Sequence, residues 1–79
     1  MSKKQIQEHQ VKRIIEIGSF IKNWRVNEGL SQYEFSKIAD KHTNTISNFE
    51  SGKNITVITL LDCLDAMDLT PAEFFEDMG

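Results

Sequence analysis

The chain has 79 residues, 39% of them hydrophobic and 27% charged, so it forms one small domain around one core and cannot combine a catalytic cleft with a regulatory module. Its formal net charge of −3 taken alone speaks against nucleic acid, yet residues 1–61 hold all nine cations with six acids, while residues 62–79 hold six acids and no cation. No apolar run approaches the roughly 20 residues of a membrane span, no secretory apolar segment follows Met1-Ser2-Lys3-Lys4, and the single Cys63 fits a reducing, cytoplasmic setting without disulfides.

Residues 1–13 form a basic N-terminal segment through Lys3, Lys4, Lys12 and Arg13; a minor-groove arm, an extension of the first helix and a frayed or disordered tail are all compatible with it. Residues 14–79 make the domain proper. Ile14, Ile17, Ile21 and Trp24 recur at three- and four-residue spacing with Phe20 beside them, which predicts an amphipathic helix ending near Glu28-Gly29, where glycine takes the left-handed cap. A second helix opens at Ser31, whose capping box with Glu34 is flanked by Leu30 and Phe35 at the staple positions. Phe35, Ile38 and Ala39 continue its apolar face, and it stops at Asp40, a residue that tolerates positive φ.

A third helix is expected from about Thr43 to Ser51, with Ile46 and Phe49 inward and Gly52 closing it. The β-branched stretch Ile55–Leu61 would suit a strand, but Val57, Leu60, Leu64 and Met67 keep helical spacing and Thr56 is a suitable N-cap, so a fourth helix is predicted. Cys63 lies on it as a buried or half-buried thiol. Thr70-Pro71-Ala72-Glu73 then supplies N-cap, first-turn proline and capping-box glutamate for a fifth helix carrying Phe74, Phe75 and Met78. The fold class is all-α, five short helices without a sheet.

Two short helices joined by a tight turn, the second with small polar residues outward, is the layout of a helix-turn-helix reader. With Ile46 and Phe49 inward, Thr43, Asn44, Ser47 and Asn48 face out; Asn can pair bidentately with adenine, and a Thr methyl can pack on that of thymine. On an isolated helix the same row is ordinarily a solvated face. Enzymatic readings find little material: two histidines, His9 and His42, scattered single glycines, and no pairs of metal ligands at short spacing. No cofactor, metal site or catalytic residue is expected.

From about Ile17 to Phe75 the sequence resembles the Cro/phage-repressor type, Xre-like, helix-turn-helix family. The matching features are Ile21 and Arg25, GLSQ at Gly29–Gln32, TNTISNFESGK at Thr43–Lys53, and LTPAEFF at Leu69–Phe75. Asp40 and Asp68 stand where the family commonly has glycine, Ser36 where it has a small alanine, and the third helix has no arginine. The resemblance implies a lambda-repressor-like domain acting as a transcriptional regulator on double-stranded DNA. Lys41, His42 and Lys53 flank the third helix as candidate phosphate ligands, with capping of the third helix as the other role for His42. The resemblance puts Thr43, Asn44 and Asn48 at base-contacting positions and Gln32 against the DNA backbone. It also implies an ion pair between Arg25 and Glu50.

One such domain reads a half-site, so a homodimer on a (pseudo)palindromic operator is expected. Its interface is expected around Leu69, Phe74 and Phe75, because adjacent rings about 100° apart on a helix leave one in the core and one over. The alternative within the same family is an antitoxin-type protein that binds a toxin partner through the acidic, aromatic C-terminus and regulates its own promoter.

Overall fold

The computed structural model describes residues 3–53 and 55–78, with side chains from residue 10 onward, so Met1 and Ser2 of the basic segment lie outside it. The described residues form five helices and no strand: α1 (Lys3–Asn27), α2 (Gln32–Ile38), α3 (Thr43–Glu50), α4 (Val57–Ala66) and α5 (Pro71–Met78). Local chemistry sets most boundaries. Ser31 Oγ accepts from the Glu34 amide at 3.0 Å while Glu34 Oε1 accepts from the Ser31 amide at 2.9 Å, and Thr70 and Glu73 make the same exchange at 3.2 and 2.9 Å. These hydrogen bonds favour the charged carboxylates and hold Glu34 and Glu73 below the usual carboxylate range. Thr56 Oγ1 caps α4 by accepting from the Thr59 amide at 3.2 Å.

The chain reverses at residues in the left-handed region. Asp40 and Asp68 adopt φ of 56° and 57°, doing what glycine does at such turns. The Lys41 amide donates to the Ser36 carbonyl at 2.8 Å and the Leu69 amide to Leu64 at 2.9 Å, closing the C-termini of α2 and α4.

All five helices feed one core, in which Ile21, Phe35, Ile46, Phe49, Cys63, Leu64 and Phe74 are fully buried. Phe20 stands edge-on to Phe74 with centroids 5.0 Å apart, and Trp24 leans on Phe35 at 5.8 Å. Gly18 sets how closely α1 passes the last turn of α3, since a Cβ there would collide with the carbonyl oxygens of Phe49 and Glu50.

Two residues expected on inward faces are exposed. Ile38 is 56% exposed, because the inward stripe of the short α2 is Phe35, Ser36 and Ala39, with Ser36 Oγ donating to the Tyr33 carbonyl at 2.7 Å. Val57 is 71% exposed, because the buried stripe of α4 centres on Cys63 and takes Thr59 in its first turn. Helical spacing alone admits either stripe; the neighbouring helices choose.

Candidate nucleic-acid interface

Residues 39–42 join α2 to α3, and the two helices are tied across the turn by the hydroxyls of Ser36 and Thr43, 3.3 Å apart. Turning Ile46, Phe49 and Glu50 inward leaves Asn44 and Asn48 exposed, one helical turn apart, with Thr45 and Ser47 half-buried. Thr43 is half-buried at the α2 junction, so the three candidate base contacts divide into two open amides and one hydroxyl shared with Ser36. Side chains of this kind can donate to and accept from base edges.

The candidate phosphate contacts are differently placed. Gln32 opens α2, and its Nε2 donates to Glu50 Oε1 at 3.0 Å. His42 occupies the N-cap position of α3 with an extended backbone, yet its ring makes no capping hydrogen bond and is exposed. Lys53 is exposed just beyond Gly52, whose φ is 77°. Lys41 reaches back to pair with Asp62 on α4. Lys37, which sequence reasoning passed over, is exposed on α2 above the Tyr33 ring at 4.8 Å. With Ser36, Asp40, Lys41 and His42 it lines an open cleft of about 420 Å³ beside the start of α3. Its i,i+4 spacing from Tyr33 was the available signal.

Arg25 and Glu50 meet in a buried fork. Arg25 Nε donates to Glu50 Oε2 at 2.7 Å, Nη2 donates to Oε1 at 3.0 Å, and Nη1 donates to the Leu30 carbonyl at 2.7 Å. Their side chains are only 10% and 3% exposed. The fork therefore joins α1, the loop before α2 and the C-terminal turn of α3, and Gln32 completes it; paired parallel bonds of this type fix direction as well as distance. No buried side-chain nitrogen or oxygen among the described residues lacks a partner.

On α5, Phe74 is fully buried against Phe20, which removes it from the expected association surface and corrects that expectation. Phe75 is 52% exposed, stacked edge-on against Phe74 at 5.1 Å, and Leu69 is half-buried. Ring adjacency demanded this division without saying which ring goes in. Burial, with the nearby carboxylates of Asp62 and Glu50, pushes the Cys63 thiol up to about 12, so it is a core residue without nucleophilic character. Among the described residues no cluster of three or more His, Cys, Asp or Glu could hold a metal, and no helix is long and apolar enough to cross a membrane.

Residues 21–74 match the helix-turn-helix family model. The restriction-modification controller protein C.AhdI from Aeromonas hydrophila has a similar structure, with a TM-score of 0.73 and 23% identity over 81% of this chain and 98% of its own, a likeness of fold. No curated protein matches the chain in sequence.

Proposed function

The chain belongs to the helix-turn-helix family, as a DNA-binding transcription regulator of the Xre type, and from that premise we propose that it reads a (pseudo)palindromic operator as a homodimer. The observation that carries the reading is the exposed Asn44–Asn48 pair on a helix whose far end is held by the buried Arg25–Glu50 fork. A reading helix must be rigid to hold donors and acceptors within hydrogen-bond reach of base edges, and the fork removes freedom that binding would otherwise have to freeze out.

In this reading Asn44 and Asn48 enter the major groove, Thr43 packs its methyl at the edge, and base contacts specify the site. Phosphate contacts hold the register. The first turn of α2 offers its free amides and the positive end of its dipole beside Gln32. His42 and Lys53 flank α3, and Lys41 contributes by exchanging Asp62 for a phosphate. One protomer covers one half-site, so two reading helices stand about 34 Å apart across a twofold, and Phe75 with Leu69 lies on the surface that joins them. Control of a restriction system is the setting suggested by the description of the similar structure.

Selection of bound duplexes from a random library by the full chain tests this. An inverted repeat with half-site centres about one helical turn apart is expected. Recovery of no enriched motif contradicts the reading.

A further inference from the structure

The middle and C-terminal part of α1 meets the rest of its own domain. Ile21 enters the core, Gly18 passes the end of α3, and Ile15 lies beside Gly52. Ile15, Glu16, Ser19, Phe20 and Asn23 border a cleft of about 340 Å³ against Asp77 and Met78. Between residues 15 and 23, then, α1 crosses the C-terminal end of its own α5. At 1.5 Å per residue the helix from Lys3 to Ile14 projects roughly 18 Å beyond that crossing. The long dimension of the molecule, 41 Å against 26 and 21 Å, fits such a projection.

In the projecting half Val11 is 54% exposed and Ile14, three residues on, is half-buried, so the described side chains present an apolar edge that ends where Ile15 reaches Gly52. Residues 1–13 carry four cations against one acid, Glu8. Its chemical complement is α5, with Phe75 exposed, Glu73, Glu76 and Asp77 exposed, and no cation anywhere after Lys53.

We propose, resting on the homodimer reading above, that the N-terminal half of α1 docks on α5 of a second copy of this chain, Val11 covering the partner copy's exposed ring and Lys12 and Arg13 facing the partner copy's carboxylates. A twofold makes the contact reciprocal, two such arms per dimer. It also supplies area. One half-exposed ring and Leu69 make a small patch beside the roughly 800 Å² per partner of a stable interface, and a helix arm of three turns enlarges it substantially. DNA phosphates would satisfy Lys12 and Arg13 and leave Val11 in water; α5 of a second copy satisfies both.

Sedimentation equilibrium of the full chain without DNA tests this, with thermal melts confirming that each variant is folded. The wild type dimerises and its association weakens with added salt. The K12E/R13E chain and the E76K/D77K chain each dimerise about tenfold more weakly at low salt, and the chain carrying all four substitutions recovers most of that loss. Val11→Ser weakens the dimer without altering its salt dependence. A wild type that stays monomeric would remove the homodimer reading itself. A wild-type dimer unaffected by K12E/R13E, or two weakened variants whose combination shows no recovery, would overturn the docking alone. A K12E/R13E chain that keeps its dimer but loses affinity for every DNA sequence alike would assign the arm to DNA and overturn it as well.

Discussion

Arg25 and Glu50 stand at the centre of the account at the scale of single residues. Each is the other's compensation in a buried setting, so truncating either leaves an uncompensated charge. Arg25→Ala and Glu50→Ala are each expected to cost about 3–5 kcal/mol, and the double variant clearly less than their sum. Denaturant unfolding of the three proteins checks this, and additive losses would mean that the two groups are uncoupled. Cys63 makes a different prediction. Its thiol ionises at about 12 in the folded chain against 9.0 ordinarily, so above pH 9 the unfolded chain loses the proton first. The contribution of that group is complete below pH 9 and declines as pH rises toward 12. Cys63→Ala should therefore flatten the alkaline limb of a stability profile, and indistinguishable limbs would contradict it.

At the scale of elements, Gly18 decides how α1 lies on α3. Alanine is the better helix former by up to about 1 kcal/mol, but a methyl group at this position meets two backbone carbonyls that cannot give way without moving α3. Gly18→Ala should therefore destabilise the fold by about 1–3 kcal/mol and weaken DNA binding with it, whereas Ser19→Ala, one residue on and exposed, should be close to neutral. Urea titration of both distinguishes packing from propensity. Gly18 also marks where sequence reading stops. A glycine inside a helix signals a close approach without naming its partner. The capping boxes at Ser31 and Thr70 and the left-handed Asp40 were legible because their causes lie within four residues. The exposure of Ile38 and Val57, the burial of Phe74 rather than Phe75, and the pairing of Lys41 with Asp62 were not, because each depends on which helix happens to lie opposite. Within the candidate site the outward placement of Asn44 and Asn48 could be read from Ile46 and Phe49 on the same short helix. The involvement of Gln32 with Glu50 joins residues 18 apart and could not.

The whole molecule is an acid chain by net charge with its cations confined to residues 3–53. A protein so built binds DNA only through local fields, and binding should fall steeply with salt. With Lys37 and Lys53 exposed in each protomer and Lys41 exchanging Asp62 for a phosphate, a dimer neutralising about six phosphates gives a log–log salt slope near −5. A slope near zero would leave no phosphate contacts to hold the register. The reading face itself is tested most directly by measuring, on the selected operator and its single-base variants, the competition binding of wild type, Asn44→Ala, Asn48→Ala and Lys53→Ala. Each asparagine variant should lose about 1–3 kcal/mol of discrimination at one position per half-site, while Lys53→Ala weakens all sequences equally. Asparagine variants that keep every base preference of the wild type would contradict the claim that α3 reads DNA through this face.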